Sequence, residues 1–429
     1  MDPPLILIIV LTFAFAATRL ERAFLGGRTN LLASLQYVLI GVLVGPLGLA
    51  LLDGERLASL EPLLAVVTGF VGFLVGLSLD LRSLRQRPAG TFTFGLVTGL
   101  ITATLVGGLA WVALSSFPTP SLADATPAAL ALAAATLGLG AIITAVESLE
   151  SGILAARADG PVSRLLPIAA QTLRAVAIIG FGLALASDRA SSDAGGLPVL
   201  SWDGIAVGAG LGLAFIFHVF VGHERDEKKL FLATIGVVAL ASGVAHALQF
   251  SALFVNLVAG MAVANVSRAA PALLRADVRL RRPLFVVLLL LAGAGWQPPP
   301  GILWVIPAGY LVLRALALRV GARAAVAFTA ADIDADTPHL GDALLGQGAL
   351  AAAVAENYAM VSDGGSLASV VVTTLLVGAA VNDLWYAPAL RSVLQKAGEC
   401  GRLPDADAPV PAAPVPAPAP AAQAPPTAP

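Results

Sequence analysis

The chain has 429 residues, of which 58% are hydrophobic and only 12% charged, with a formal net charge of −2. A soluble domain carries about 25% charged residues, so these long apolar runs exclude a soluble enzyme and read as a polytopic, all-α membrane protein. The charge balance gives no case for nucleic acid, the single Cys400 excludes an intrachain disulfide or a cysteine metal cluster, and no motif asks for a cofactor.

A bilayer core takes about 20 mostly apolar residues per helix. In chain order the candidate spans lie near residues 3–18, 31–52, 59–79, 91–115, 125–146, 164–186, 203–221, 230–248, 250–266, 283–297, 302–318, 339–360 and 367–390, about 13 in all. The first run has small residues at Ala14, Ala16 and Ala17, as a cleaved leader would. However, no basic residue precedes it, while Arg19, Arg22 and Arg28 follow. It reads as a retained helix with its N-terminus outside.

Basic residues test that layout, because cytoplasmic loops collect arginine and lysine. With the N-terminus outside and the C-terminus in the cytoplasm, 21 of the 25 basic residues fall in cytoplasmic segments. Arg56 and Arg189 fall outside, and Arg174 and Arg314 within spans. Losing a single span would invert every later loop. The expected location is therefore the cell (inner) membrane, with a transmembrane unit over residues 1–400. Residues 401–429 form a tail in which Arg402 to Pro429 hold ten of the chain's 29 prolines. That composition is too poor in apolar pattern to fold and predicts an extended cytoplasmic segment.

Glycines punctuate the second span in Tyr37-Val-Leu-Ile-Gly-Val-Leu-Val-Gly-Pro46-Leu-Gly48-Leu. Gly41 and Gly45, and Gly72 and Gly76 in the third span, are GxxxG pairs that permit close helix contact. The third span runs out in Gly76-Leu-Ser-Leu-Asp80-Leu. Later come Phe254 to Asn265, reading Phe-Val-Asn-Leu-Val-Ala-Gly-Met-Ala-Val-Ala-Asn, and Val381-Asn-Asp-Leu-Trp-Tyr-Ala-Pro388 followed by Ala397-Gly-Glu399. In this order, over residues 3–400, the motifs resemble the monovalent cation–proton antiporter superfamily, especially its potassium-efflux-like and sodium–proton exchanger branch.

The resemblance implies inverted repeats, a homodimer, and two broken helices that cross near the middle of the bilayer. By span order these are the fifth, with Gly138, Gly140 and Thr144, and the twelfth, with Gly346, Gln347 and Gly348. Glycine weakens a helix by about 1 kcal/mol relative to alanine, so both can unwind there, although the same glycines can serve only close packing. Carbonyls and helix dipoles freed at such breaks can hold an ion.

The chain departs from the family where the chemistry matters. The family usually carries an acidic pair, or Asn-Asp, in the sixth span. A gap-free reading of Ser163 to Ala177 puts that pair at Leu173-Arg174, and a two-residue shift puts it at Gln171-Thr172, neither with an acid. The tenth span, Leu284 to Gly295, also lacks the basic residue that some members carry. Arg174 lies about 15 Å above Arg164 at 1.5 Å per residue, too deep to snorkel, and a central arginine costs at least ~2.5–3.5 kcal/mol without a partner or a wet cavity. Arg314, about one turn from Arg319, reads instead as an interfacial anchor.

Four carboxylates are available as counter-charges: Glu147 and Glu150 at the end of the fifth span, Glu356 in the twelfth and Asp383 in the last. Glu147 is the first choice for a titrating group. His218 and His246 read as packed histidines or as proton relays. The expected activity is antiport of sodium or potassium against protons by alternating access, with Thr144, Glu147, Arg174, Gln347 and Asp383 lining or organising the path. A pseudo-transporter scaffold or sensor, and transport of an anion on Arg174, stand as alternatives.

Overall fold

The computed structural model describes residues 33–81, 89–116, 125–192, 199–221, 226–267, 270–328, 339–362 and 364–401, together with residues 5, 8, 12, 122 and 224. Most of the expected first span, the loop holding Arg19, Arg22 and Arg28, and the proline-rich tail from Arg402 lie outside the described residues. The described residues form thirteen α-helices. These are α1 (Ala33–Val44), α2 (Gly54–Leu77), α3 (Ala89–Ser116), α4 (Pro127–Ala141), α5 (Val146–Ala155), α6 (Pro161–Ser192) and α7 (Val199–Val221). They continue with α8 (Glu227–Ala247), α9 (Ala252–Val266), α10 (Ala270–Gly295), α11 (Val305–Phe328), α12 (Gly348–Val361) and α13 (Gly365–Lys396). Short 3-10 turns precede α11 at Gly301–Trp304 and α12 at Leu340–Leu344.

Eight spans among the described residues are long and apolar enough to cross a membrane, and three shorter apolar helices accompany them. The chain is a multi-pass membrane protein. Each expected span from the second to the thirteenth coincides with a helix or a broken pair of helices. Side-chain caps set several of the starts: Asp53 accepts from Arg56 N at 2.9 Å, Thr126 from Ala129 N at 3.2 Å ahead of Pro127, and Ser251 from Phe254 N at 3.1 Å. These caps satisfy backbone donors that a helix cannot pair internally.

The order of elements repeats. The series α1, α2, α3, broken α4–α5, α6 is matched by α9, α10, α11, the broken turn and α12, then α13. The glycine contacts follow the same exchange. A β-carbon on Gly41 of α1 would collide with the Leu290 carbonyl of α10, and one on Gly293 of α10 with the Val38 carbonyl of α1. In the matching pair, Gly72 of α2 lies against the Leu253 carbonyl of α9, and Gly260 of α9 against the Phe73 carbonyl of α2. The GxxxG pairs thus do what their spacing allows, bringing backbones together where lipid offers no hydrophobic drive. Helices α7 and α8 join the two series and pack on α9 and α2.

The fifth and twelfth spans are both broken. Helix α4 ends at Ala141, residues 143–145 are non-helical, and α5 begins at Val146. The Leu340–Leu344 turn gives way to α12 across residues 345–347. Gly138 and Gly140 lie inside α4, not in its break, and serve packing: a β-carbon on Gly138 would sit 2.5 Å from the Ala103 carbonyl of α3. Gly348 is different. Its φ of +64° is in the left-handed region, and a β-carbon there would lie 2.9 Å from the Ala145 methyl of the other break, so both conformation and contact require glycine.

Two of the boundaries that differ from the sequence reading bear on the site. Helix α11 runs on to Phe328, ten residues past the expected end of its span, and α10 begins at Ala270, well before 283. Arg314 therefore lies in the middle of its helix rather than near its end, and Arg281 lies inside a helix rather than in a loop, which changes their roles.

Candidate functional site

The two breaks are fastened to each other. Ala145 N donates to the Gly346 carbonyl at 2.8 Å, Thr144 Oγ1 to the Leu344 carbonyl at 3.2 Å, and Gln347 Nε2 to the Gly140 carbonyl at 2.8 Å. Gln347 Nε2 also donates to Tyr310 Oη at 2.7 Å, and its Oε1 accepts from Asn382 Nδ2 at 3.3 Å. Thr144 and Gln347, singled out from the sequence, are both fully buried at this crossing.

Each broken end carries partial charge, positive at a helix start and negative at a helix finish. The guanidinium of Arg314, fully buried, meets the finishing ends. Its Nε donates to Ala141 O at 2.8 Å and its Nη2 to Ile143 O at 2.9 Å and Leu344 O at 3.4 Å, while Nη1 donates to Leu345 O. Arg314 is therefore no interfacial anchor. The carbonyls that the two breaks release are the acceptors it satisfies. At the starting ends stand carboxylates. Asp383 Oδ1, from the middle of α13, accepts from Gly348 N at 3.4 Å at the start of α12, and Glu147 sits in the first turn of α5.

Arg174 has the partner that its depth demands. Its Nη1 donates to Glu147 Oε1 at 2.8 Å and its Nη2 to Ser78 Oγ at 3.1 Å. The same carboxylate oxygen accepts from Arg281 Nη1 at 2.7 Å. Arg174 Nε is buried and, among the described residues, makes no hydrogen bond. The side chain of Arg174 is 7% exposed, but those of Glu147 and Arg281 remain 32% and 26% exposed. The ion-pair cluster thus has a closed side at α6 and an open side at α10.

A cavity of about 20 Å³ lies at this cluster, lined by Thr144, Glu147, Arg174, Arg281, Gln347 and Gly348 and by apolar residues of α2, α10 and α12. That volume holds about one water molecule. Four of the five site residues read from the sequence (Thr144, Glu147, Arg174 and Gln347) line this one cavity. Asp383 does not line it but touches it through Gly348. Glu150 is exposed, and Glu356 is buried further along α12. Sequence reasoning passed over Ser78, Arg281, Tyr310 and Asn382, and gave Arg314 the wrong role. Ser78 lies within the Gly76-to-Asp80 motif and Asn382 within the Val381-to-Pro388 motif, so those two carried a signal.

The other polar motif residues hold helices rather than the site. Asn265 donates to Leu79 O at 3.0 Å and accepts from Leu81 N at 2.8 Å, closing the end of α2. Glu399 accepts from Val162 N and Ser163 N, each at 2.8 Å, and so caps α6 from the far end of the chain.

The arrangement can exchange partners on one carboxylate oxygen. Glu147 Oε1 is shared by two guanidiniums, of which only Arg281 stands on the open side. Displacing Arg281 exposes an anionic oxygen beside the Thr144 hydroxyl without opening the buried Arg174 contact.

Among known proteins, no family model and no curated protein matches the chain. Solved structures do, 44 chains in all. One is the sodium proton antiporter MjNhaP1 from Methanocaldococcus jannaschii, solved at pH 8, with a TM-score of 0.66 and 14% identity over 92% of this chain and 99% of that one. At that identity the match establishes a shared fold.

Proposed function

We propose that this chain exchanges a monovalent cation, sodium or potassium, for protons by alternating access, and that Glu147 is the carboxylate for which the two compete. The carrying observation is the position of Glu147: at the crossing of two broken helices, facing a cavity, with one oxygen shared between a buried and a half-buried arginine. In the cation-loaded form, the ion takes the place of Arg281 on Glu147 Oε1, with Arg174 holding the same carboxylate from behind. In the proton-loaded form, Glu147 is a neutral acid, both ion pairs are released and the cation leaves. The sixth-span acid expected from the family is then replaced by one on the fifth.

The shared fold with a sodium proton antiporter supports this reading. So does the local electrostatics, because an acid between two guanidiniums is a group whose protonation changes its contacts at once. In this reading the protein lies in the cell membrane with its basic loops in the cytoplasm.

One feature of the crossing favours a second reading, a non-transporting scaffold. Arg314, Asp383 and Glu147 already meet all four broken helix ends, and the cavity has room for about one water. Proteoliposomes separate the two. Purified protein is reconstituted with a preset pH gradient, and sodium or potassium is added outside. The antiporter dissipates the gradient with at least one of these ions, and Arg174→Ala slows it. No cation-dependent proton flux from correctly inserted protein would favour the scaffold.

A further inference from the structure

Helices α2 and α12 share a seam, and a second cavity opens at its other end. The first cavity meets α2 at Val71, Leu74 and Val75 and α12 at Ala349 and Leu350. The second, of about 10 Å³, meets α2 at Ala65 and α12 at Asn357, Met360 and Val361, with His246 and Gln249 of the α8 end beside them. From Ala65 to Leu74 is about 14 Å along α2, and from Ala349 to Met360 about 16 Å along α12, at 1.5 Å per residue. Ala349, Ala353, Glu356 and Met360 follow one another at spacings of four, three and four. They form one stripe of α12 that runs from the first cavity to the second.

Glu356 is the one ionisable residue of that stripe. It is 7% exposed, and among the described residues its carboxylate has no hydrogen bond and no ion pair. Around it, α4 and α9 and the facing halves of α10 and α13 carry no charged side chain. The charged or titratable groups toward that end are Glu61 of α2, Asp188 and Arg189 of α6, His246 of α8 and Tyr358 of α12 itself. Polar groups continue across the seam. Asn357 accepts from Ser251, and Asn256, fully buried against Gly69 of α2, donates to Ser242 Oγ at 3.1 Å and Ala252 O at 2.9 Å. Its own Oδ1 is buried and, among the described residues, accepts nothing. Asn256 lies beside the α2–α12 seam without lining either cavity, and its unsatisfied buried acceptor is one that a water entering the seam would satisfy.

An ionised carboxylate without a partner is far more costly to bury than the neutral acid. Such a group keeps its proton while the seam is dry and releases it when water connects the seam to a cavity. We propose that Glu356 is a second proton-carrying carboxylate of the exchange, loaded through the cavity at His246 and Asn357 and in series with Glu147. This rests on the antiport reading for its role, but its chemistry can be tested without transport.

The probe is dicyclohexylcarbodiimide, an apolar reagent whose C=N bond takes up a protonated carboxyl group to leave an N-acylurea, all atoms of both partners being retained. The full-length protein in detergent is treated from pH 6 to pH 9 and mapped by mass spectrometry. Modification at Glu356 that falls as pH rises, and that sodium or potassium leaves in place, is the expected result. No modification of Glu356 at any of these pH values overturns the proposal, whether or not the protein transports. In proteoliposomes, Glu356→Gln should slow cation-driven proton flux on the order of 10²-fold, the scale of a lost proton-transfer group, and Glu356→Asp should restore part of it with a displaced pH profile. Flux in Glu356→Gln equal to wild type across the same range would also overturn it. A protein labelled at Glu356 but silent with every cation would sink the antiport reading, and with it the role of Glu356 in exchange, while leaving its protonated carboxyl established.

Discussion

Replacing Arg314 by methionine tests how the crossing is held. Methionine keeps most of the aliphatic stem and removes the guanidinium. Three well-formed bonds would be lost, to Ala141 O, Ile143 O and Leu345 O, and a longer one to Leu344 O. Hydrogen bonds from a charged donor contribute about 1.5–3 kcal/mol each, so the gross loss is roughly 5–9 kcal/mol. Relief of the guanidinium's desolvation offsets several kcal/mol of that, which leaves a net destabilisation of about 3–5 kcal/mol. The carbonyls at both breaks would be left unpaired in a water-poor interior, so the crossing itself should loosen. In a fluorimetric melt of detergent-purified protein this corresponds to a fall in Tm of roughly 3–6 °C for a chain of this length. Arg314→Lys, with a single ammonium that cannot span both breaks, should fall between the two. A methionine variant that melts with the wild type would refute the claim that Arg314 fastens the broken ends.

Other substitutions probe the packing and the caps. Gly72→Ala places a methyl on the Leu253 carbonyl, which is backbone and cannot swing aside. It should lower Tm and the yield of folded protein, whereas Gly54→Ala, with open space around it, should be close to neutral. Glu399→Ala removes both acceptors at the start of α6 and should cost about 1–2 kcal/mol, read as a lower Tm in the same melt. Asp383→Ala leaves the start of α12 without its carboxylate and should cost up to ~2 kcal/mol by the helix-dipole term. Asp383→Glu should recover part of that loss.

Much of this architecture is legible in the sequence, because a bilayer allows only closed hydrogen bonding and so turns each apolar run into a helix. That Arg174 needs an acid was legible for the same reason, but the sequence left four carboxylates open as its counter-charge, and the structure pairs it with Glu147. Arg314 was misread because its nearness to Arg319 suggested reach to the interface. In fact α11 continues to Phe328, about 21 Å beyond Arg314 at 1.5 Å per residue, and Arg319 is itself taken by Asp342 at 2.6 Å. Arg281 was hidden among five basic residues that read as a loop, whereas four of them, Arg281 included, belong to α10. The site of the breaks was legible only to within a few residues. Gly138 and Gly140 weaken α4, but packing against α3 and Leu375 of α13 keeps both helical, and the chain opens after Ala141 instead.

In the proposed exchange, cation and proton compete for Glu147. The direct measurement is proton release on cation binding, followed with a pH indicator in weakly buffered detergent solution as sodium or potassium is added to the purified protein. The wild type should release protons in proportion to bound cation, and Glu147→Gln should release none while still folding. Cation binding without proton release, or an unchanged release from Glu147→Gln, would contradict it.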